Sequence, residues 1–341
     1  MFFIILPIVF LLFLVFSFSV EQYYRLHVSN FTSRDGKPHS YNIYPGTTID
    51  SVLSMIRADY EVHGEMDLRM HMRMLLVTAP EPGHYEFPAK MGDKMLINRL
   101  QNGEQTPIKL TWNNFVRTRE DLAGKLASRL MLDSIDIIER LNDDSYMADF
   151  GLNKETSRCL FIPNTYEVYW TISPDNLFKR MKREYDNFWT EERRHKADSI
   201  GLTPVEVATL ASIVEGESYR TDDQPTIASL YLNRLRIGMP LQACPTIKYA
   251  IGDFTIKRVL KRHLTVDSPY NTYTHKGLPP GPIRCPLART MDFVLNAPKT
   301  NYLYMCANPN MSGTHIFSSN YGNHANAANQ YHRVMDEKRI R

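Results

Sequence analysis

Residues 203–218 read TPVEVATLASIVEGES, and the interpretation of the whole chain begins from this stretch. Thr203 stands three residues before Glu206, which is the capping-box pattern that begins a helix. Apolar residues follow this start with helical spacing. The pattern predicts a long helix whose last turn carries two glutamates, Glu215 and Glu217.

The two glutamates are predicted to lie on different faces of this helix. At about 100° per residue, Glu217 shares a face with Leu210, Ile213 and Val214, whereas Glu215 points about 200° away from it. A carboxyl group against an apolar face loses hydration, which raises its pKa. A carboxylic acid that is still protonated near neutral pH can protonate the leaving oxygen of a glycosidic bond. We therefore expect Glu217 to be a catalytic acid carried on a helix.

A purely structural role for Glu217 stays open from the helix pattern alone. Glu217 could lie beyond the last buried turn, in water. It could also pair with an arginine, for which Arg220, Arg234 and Arg236 are the candidates.

Composition excludes several classes of protein. The chain has 341 residues, of which 43% are hydrophobic and 23% charged, so it is long enough for a sizeable core and for one to three domains. The formal net charge is only +3, and the sequence has no long basic run with interleaved aromatic residues. Nucleic acid is therefore not expected as a partner.

The chain contains four cysteines, Cys159, Cys244, Cys285 and Cys306, and no CxxC pair. No cysteine and histidine cluster has the spacing of a zinc site, so we expect neither a metal nor another cofactor. In an oxidising compartment one disulfide could form among the last three cysteines. Buried free thiols are the alternative.

The N-terminus predicts a membrane anchor. Residues 2–20 carry no charge and are almost all Phe, Ile, Leu or Val, and about 20 apolar residues span a bilayer as a helix. A cleaved signal peptide is the competing interpretation, but the stretch is long for one and lacks a small-x-small cleavage site. We therefore take residues 1–22 as an uncleaved transmembrane helix. No Lys or Arg precedes it, so the positive-inside rule says little about orientation.

The residues after the anchor form a small predicted module. Polar and apolar residues alternate over 25–44, as in short strands, and Thr48 is placed to cap a helix that begins at Ile49. A short helix that stops at Gly103 comes later. We take residues 23–110 as one small α+β module.

Residues 111–341 are predicted to be a mixed α+β domain. The segment 111–200 is largely helical and includes a strongly charged helix around 178–198, whose charges are interpreted as a solvated face. Another helix is expected over 225–237, with Ile227, Leu230, Leu232 and Leu235 facing inward. The segment 239–323 is rich in Pro, Gly, Asn and Tyr, and long irregular segments in a compact domain usually carry function.

Cleavage of a glycosidic bond normally uses two carboxylates. Five aspartates follow Glu217 without an obvious pattern: Asp222, Asp223, Asp253, Asp267 and Asp292. One carboxylate is enough if the substrate supplies its own nucleophile, as peptidoglycan can. Its N-acetylmuramic acid (MurNAc) has a 2-acetamido oxygen that can stabilise the developing cation and a C6 hydroxyl that can close onto C1. The product would be a 1,6-anhydro sugar, and no water would be consumed.

Five motifs in order carry a resemblance to a known family. They are LASIVEGES at 210–218, SLYLNRLRIGMPLQACPT at 229–246, DSPYNTYTHKGLPPGPI at 267–283, NAPKTNYLY at 296–304, and His315-Ile316-Phe317 ahead of His324. Together they resemble the endolytic murein transglycosylase family, the YceG-like proteins. The resemblance is dense over residues 200–330. It extends weakly to the Pro45-Gly46 and Gly83-His84-Tyr85 region, which is similar to that family's LysM-like module, and to the turn at Phe161.

The resemblance implies roles for particular residues. Glu217, the second glutamate of the VE-x-E element, would be the acid and base, and Glu215 would support it as a polar residue of the substrate site. Six further positions would line the glycan groove: Gln242, Thr246, Tyr270, Asn271, Thr272 and Tyr273. Two departures stand out. Cys244 replaces an Asp that members often carry, and Gly216 replaces a Lys at a cost to the helix of about 1 kcal/mol.

The sequence therefore predicts an endolytic lytic transglycosylase that cuts the bond from MurNAc to N-acetylglucosamine (GlcNAc) in nascent peptidoglycan. It would leave a 1,6-anhydroMurNAc end and so terminate or trim glycan strands. The expected location is the inner membrane, with a single span and a periplasmic catalytic domain. Peptidoglycan strands are the expected partner, with peptidoglycan synthases as further partners implied by the family.

Three alternatives remain from the sequence. A non-catalytic peptidoglycan-binding or cell-wall scaffold protein would keep the fold without using Glu217. A thiol hydrolase would need Cys244 or Cys285 in contact with His315 or His324. A hydrolytic muramidase would differ only in the acceptor, which is water in place of the C6 hydroxyl.

Overall fold

The structure, a computed structural model, describes residues 2–337, with side chains from residue 7. The chain is a mixed α+β protein that divides into two compact units. The first comprises Met1–Leu110 and Glu167–Ile172, and the second comprises Thr111–Tyr166 and Ser173–Arg341. Residue 1 of the predicted anchor and residues 338–341 of the predicted second domain lie outside the described residues.

The first unit alternates short strands and helices. Its elements in chain order are α1 (Phe2–His27), β1 (Phe31–Ser33), β2 (His39–Ile43), α2 (Ile49–Asp59), β3 (Tyr60–Val62), α3 (Glu65–Met74), β4 (Gly83–Phe87), β5 (Lys90–Met91) and α4 (Asp93–Asn102). Strand β1 pairs antiparallel with both β3 and β5, and β2 pairs antiparallel with β4. Alternate strand residues such as Ile43 and Phe87 point inward and form the core with Val52 and Ile56 of α2.

Sequence signals at the helix ends of this unit are confirmed. Thr48 caps α2 by accepting a hydrogen bond from the Ser51 N–H at 3.2 Å. Gly103 ends α4 at a φ of 62°, a left-handed conformation that glycine adopts without strain. Two further strands, β6 (Ile108–Thr111) and β7 (Thr165–Val168), pair with each other where the chain passes from one unit to the other.

Helix α1 contains a candidate membrane span, Pro7–His27, with a mean hydropathy of 1.5 and none of its most apolar window buried. A helix of this length and character can cross a bilayer. Near its C-terminal end, Arg25 forms an ion pair with Asp67 of α3, and Gln22 donates a hydrogen bond to the same carboxylate at 2.6 Å. The end of α1 is thereby fastened to the rest of the first unit.

A buried polar network joins three segments of the first unit. Asp93, at the start of α4, is fully buried and accepts a hydrogen bond from the Asn30 Nδ2 at 2.8 Å. The Nδ1 of His71 lies 2.5 Å from the other Asp93 oxygen. Asn30 also bonds to both the N–H and the carbonyl of Gly64. Because each buried polar group has a partner, the network stabilises this unit.

The second unit is mainly helical. Its elements are α5 (Arg119–Ala127), α6 (Ser134–Asn142), α7 (Asp144–Ala148), α8 (Pro174–Phe188), α9 (Glu191–Ser199), α10 (Pro204–Glu217), α11 (Gln224–Arg236), α12 (Cys244–Ile251), α13 (Ala288–Leu295), β8 (Tyr304–Ala307), β9 (His315–Ser318) and α14 (Tyr321–Glu337). Strands β8 and β9 form an antiparallel hairpin against which α14 packs. Two short 3₁₀ turns lie at Ser157–Leu160 and Lys261–His263.

Helix α10 lies at the centre of the second unit, in contact with α9, α11, α12 and α13. The predicted capping box is confirmed. The Glu206 N–H donates to Thr203 Oγ1 at 3.3 Å, and the Thr203 N–H donates back to Glu206 Oε2 at 2.8 Å. Every residue from Val207 to Glu215 is buried. The helix is therefore enclosed on all sides, whereas the sequence predicted one apolar stripe.

Two details of the helices differ from the prediction. The charged helix expected around 178–198 is two helices, α8 and α9. Thr190 caps α9 by accepting a hydrogen bond from the Arg193 N–H at 3.3 Å, because the first N–H groups of a helix need an acceptor. In α11, which confirms the helix expected over 225–237, Leu232 and Leu235 are only half-buried, and they line a cavity of about 630 Å³.

Candidate active site

Glu217 is the last residue of α10 and is half-buried. The hydroxyl of Tyr231 donates a hydrogen bond to Glu217 Oε1 at 2.8 Å. Burial raises the pKa of Glu217, whereas the Tyr231 hydrogen bond and the nearby positive charges of His315, Arg234 and Lys248 oppose that rise. The raised pKa that the sequence predicted for Glu217 is thus confirmed in direction. The group has the environment of a carboxylic acid that holds its proton.

Tyr231 comes from α11 and is 1% exposed. Burial and the neighbouring Glu217 carboxyl raise its pKa well above 10.0, so the phenol keeps its proton and acts as a donor. Arg234, one turn further along α11, does not form the ion pair with Glu217 that the sequence left open. Its guanidinium donates instead to the carbonyls of Leu303 at 2.7 Å and Leu241 at 2.6 Å.

A histidine and aspartate pair stands close to Glu217. His315, at the start of β9, has its Nδ1 2.8 Å from Asp223 Oδ2. The charge of His315 favours the carboxylate form of Glu217. Asp223, one of the five aspartates without an obvious pattern, is thereby bound to a histidine near the site and is 7% exposed.

Glu215 lies in a different environment from the predicted one. Its side chain is 0% exposed, so the prediction that it lies off the buried face is wrong. The Leu287 N–H donates to Oε1 at 2.7 Å, and Asn114 Nδ2 donates to Oε2 at 3.0 Å. Burial raises its pKa as well, against these hydrogen bonds and the charge of Arg284. Because both oxygens face protein donors, this enclosed position does not fit the predicted contact with substrate.

The structure brings the predicted groove segments together. The Gln242 N–H donates to the Thr272 carbonyl at 3.0 Å, and the Ala243 N–H donates to Thr272 Oγ1 at 3.0 Å. Thr246 Oγ1 lies 2.9 Å from Thr272 Oγ1 and also donates to the Ala243 carbonyl. Thr246 and Thr272 are buried, so their hydroxyls hold the two segments against each other. Gln242 is exposed at a φ of 51°.

The other three predicted groove residues have different surroundings. Asn271 is 0% exposed, and its Nδ2 donates to the carbonyls of Leu264 and Val266. The Tyr270 hydroxyl donates to Glu155 Oε2 at 2.8 Å. Tyr273 is half-buried, and its pKa is raised by burial first, then by Cys244 and by the nearby Glu217 carboxyl. Gln242 and Tyr273 are therefore the members of the predicted set whose side chains are most open to a ligand.

The four cysteines are free, so the disulfide alternative is not seen. The Cys244 Sγ lies 3.3 Å from the Tyr273 hydroxyl. Burial, followed by the charge of Glu217, raises the pKa of Cys244, and burial raises the pKa of Cys285 to about 12. A nucleophilic cysteine needs a lowered pKa and a base beside it, so the thiol-hydrolase alternative does not fit.

Gly216 allows α10 and α12 to approach closely. A Cβ at this position would lie 2.5 Å from the Cβ of Pro245, which is closer than real side chains come. The departure to glycine therefore has a packing reason that outweighs the helix propensity that it loses. The close approach also brings Lys248 of α12 near enough to Glu217 to influence its pKa.

Three contributors to the site were not identified from the sequence. Tyr231 lies among the apolar residues of α11, and its hydroxyl is the one feature of the sequence that could have identified it. A tyrosine hydroxyl that faces inward needs a hydrogen-bond partner. Asp223 and His315 are 92 residues apart, and only the fold brings them together. Among the described residues, no three His, Cys, Asp or Glu side chains are grouped so as to hold a metal ion.

The chain belongs to the YceG-like family, whose model matches residues 41–330. The endolytic murein transglycosylase of Bacillus subtilis (strain 168) is 26% identical to it over an alignment that covers 87% of this chain and 86% of that protein. The enzyme of the same description from Streptococcus pneumoniae serotype 2 (strain D39 / NCTC 7466) is 25% identical, and the alignment covers 80% of this chain and 53% of that protein. This chain thus spans about half the length of the streptococcal relative.

The fold is also similar to that of a solved structure. The crystal structure of a YceG-like protein from Listeria monocytogenes matches with a TM-score of 0.56 and 26% sequence identity. The match covers 85% of this chain and 99% of that chain.

Proposed function

We propose that this protein is an endolytic lytic transglycosylase that cleaves the MurNAc–GlcNAc bond of peptidoglycan, with Glu217 as its acid and then its base. One observation carries this proposal. Glu217 is a half-buried carboxyl with a raised pKa and a single tyrosine donor, in a chain whose relatives are endolytic murein transglycosylases.

In the first step Glu217 acts as the acid. Its proton moves to the oxygen that links MurNAc C1 to GlcNAc, the bond between C1 and this oxygen breaks, and GlcNAc leaves as an alcohol. The 2-acetamido oxygen of MurNAc stabilises the cation at C1. The Tyr231 hydroxyl and the positive charges of His315, Arg234 and Lys248 stabilise the Glu217 carboxylate that this step creates.

In the second step Glu217 acts as the base. The C6 hydroxyl of the same MurNAc closes onto C1, and its proton moves to Glu217, which returns to its starting form. No water enters the product, so one carboxyl group serves both steps. Asp223 is a candidate for a second carboxylate because its partner His315 lies near Glu217, but its bond to His315 makes it a group that orients the histidine.

The remaining site residues have positioning roles in this proposal. Gln242 and Tyr273 would contact the glycan, because an amide can bond to acetamido groups and a tyrosine ring can stack on a sugar face. The buried Thr246, Asn271 and Thr272 would hold the groove segments in place. Glu215, which is enclosed by Leu287 and Asn114, would fix the last turn of α10 that carries Glu217.

We also propose that α1 anchors the protein in the inner membrane with the second unit on the periplasmic side. Residues 23–110 would form a LysM-like module that contacts glycan strands. An active site held near the membrane would meet new strands as they emerge, so peptidoglycan synthases are natural partners.

Mass spectrometry of a peptidoglycan digest tests the proposed reaction. Purified full-length protein in detergent is incubated with uncross-linked glycan strands, and the new ends are identified. We expect ends in 1,6-anhydroMurNAc, which are one water lighter than reducing MurNAc. Ends in reducing MurNAc would show a hydrolytic muramidase. A protein that binds the strands but releases no new ends would be a non-catalytic wall-binding or scaffold protein.

A further inference from the structure

A small cavity lies beside Gly216, the residue that precedes Glu217. Its volume is about 140 Å³, and it belongs entirely to the second unit. Three positively charged residues line it: Arg117, Lys248 and Arg284. None of the nine lining residues is acidic. One of them, Tyr219, is 66% exposed, so the cavity reaches the surface.

The cations of this cavity have fewer partners than buried charges normally have. Tyr219 is a hydrogen-bond partner of Arg284, but the described structure shows no ion pair of Arg117, Lys248 or Arg284 with a carboxylate. Arg284 is 5% exposed, and its Nε and Nη1 are buried without a hydrogen-bond acceptor among the described residues. The Nε of Arg117 is likewise buried without a hydrogen-bond acceptor among the described residues. The Arg117 guanidinium lies over the ring of Phe254, 4.7 Å from its centroid. The charges of Arg117 and Arg284 also repel each other. Such groups are normally paired, because an unpaired buried charge is costly.

The carboxylate of Glu215 does not form an ion pair with Arg284. Glu215 attracts Arg284, but its two oxygens accept hydrogen bonds from Leu287 and Asn114, and no ion pair within 4.0 Å joins it to Arg284 in the described structure. An external anion in the cavity would balance the charges of the three cations that line it. A guanidinium offers a planar fork of donors that matches a carboxylate in particular.

The size of the cavity limits what can enter. Pockets that bury a whole small ligand usually measure about 300–1,000 Å³, and one water occupies about 30 Å³. At about 140 Å³ this cavity has room for a carboxylate and the few carbons that carry it. A sugar ring therefore does not fit inside, whereas an acidic side chain attached to the sugar does.

We propose that this cavity binds a carboxylate of the stem peptide that peptidoglycan carries on its MurNAc residues. The inference rests on the proposed function, because it concerns the same substrate. The peptide is attached through the lactyl group at C3 of the sugar whose C1 reacts at Glu217, so its acidic residues lie within a short reach of Gly216. Lys248 faces this cavity and also influences Glu217. The enzyme would thus select strands that still carry their peptides and seat the scissile bond through the peptide.

Three forms of one glycan preparation test this inference. The first keeps its stem peptides, the second has the peptide carboxyls converted to amides, and the third has its peptides removed by an amidase and the lactyl carboxyls that this exposes converted to amides. Cleavage rates at low substrate concentration report kcat/KM for each. A charged hydrogen bond contributes enough for us to expect at least about a tenfold preference for the first form over the other two.

Variants locate the preference in the cavity. We expect Arg117→Gln and Lys248→Gln to bring the rate ratio between the first and second forms towards one. Arg129→Gln removes the same charge from an exposed position of the same unit and should keep the wild-type ratio. Equal wild-type rates on all three forms, or wild-type ratios in both cavity variants, would overturn the inference and leave the proposed function standing. Wild-type protein that cuts none of the forms would overturn the proposed function itself.

Discussion

Each unit of this protein buries an acidic side chain whose pKa is raised by its surroundings, but the two acids are held differently. Asp93 of the first unit is 0% exposed and is bonded through both oxygens, to Asn30 and His71. Glu217 of the second unit is half-buried and accepts one hydrogen bond, from Tyr231, among the described residues. Burial raises the pKa of both groups.

If Glu217 is the acid that we propose, the difference means that burial alone does not mark a catalytic acid. A carboxyl whose oxygens are all satisfied by the protein has nothing left to offer a substrate, and it serves stability. A carboxyl that is desolvated but only partly bonded can still give and take a proton. Glu215, only two residues from Glu217, resembles Asp93, because both of its oxygens accept hydrogen bonds from the protein. The last turn of α10 therefore carries one fully bonded carboxyl group and one partly bonded carboxyl group.

The largest expected effect is that of Glu217→Gln. This variant keeps the size of the side chain and an acceptor for Tyr231 but has no proton to give, so glycan cleavage should fall by about 10²–10⁴-fold. Its unfolding free energy should stay the same or rise, because functional groups are often held at some expense to stability. Cleavage assays and denaturant unfolding of the same preparation measure both. A variant with wild-type activity would remove Glu217 from the mechanism.

Asp93→Ala should have the opposite effect to Glu217→Gln, because it should lower the unfolding free energy and not the cleavage rate. It leaves Asn30 and His71 buried without their shared partner, so the first unit should lose about 3 kcal/mol of unfolding free energy. Denaturant unfolding of the full-length protein in detergent checks this. Asp50→Ala, at an exposed position of the same unit, should change the unfolding free energy by no more than about 0.5 kcal/mol. Equal effects for both variants would mean that the buried network contributes nothing.

Glu215→Gln tests whether the two glutamates of α10 have different roles. One amide cannot accept from both Leu287 and Asn114, and it no longer balances the charge of Arg284, so the second unit should lose about 2 kcal/mol. Cleavage per folded molecule should fall far less than in Glu217→Gln. If Glu215→Gln were stable and inactive, the roles assigned to the two residues would have to be exchanged.

Tyr231→Phe should have the smallest effect on rate, about tenfold, together with a shift in pH dependence. Glu217 must be protonated to act, so activity is lost as the pH rises through its pKa. The Tyr231 hydrogen bond favours the carboxylate and lowers that pKa, so its removal should move the loss of activity to higher pH. Tyr146→Phe, in α7, is the matched control. A shift to lower pH would contradict the assigned role of Tyr231.

The features that could be predicted from the sequence are those set by neighbouring residues. The start of α10 follows from Thr203 and Glu206, and the end of α4 follows from Gly103, because caps and left-handed positions act within one turn. The raised pKa of Glu217 was also predicted, because Glu217 shares a helix face with the apolar residues Leu210, Ile213 and Val214.

The features that could not be predicted depend on packing between distant segments. Helix periodicity assumes one buried face, whereas α10 is enclosed by four helices, and so Glu215 was misplaced. The bond between Asp223 and His315 links residues 92 positions apart. The buried roles of Thr246 and Asn271 arise from backbone acceptors that no motif reveals.

Infrared difference spectroscopy on the protonation of Glu217 tests the central claim most directly. The carboxylic-acid band that is present in the wild-type protein and absent from Glu217→Gln is followed as the pH is raised, with Asp93 and Glu215 unchanged in both samples. We predict that this band persists well above pH 4.5, the ordinary pKa of a glutamate, and disappears over the same range in which cleavage is lost. A band that is lost at or below pH 4.5 while cleavage continues would contradict the assignment of Glu217 as the acid.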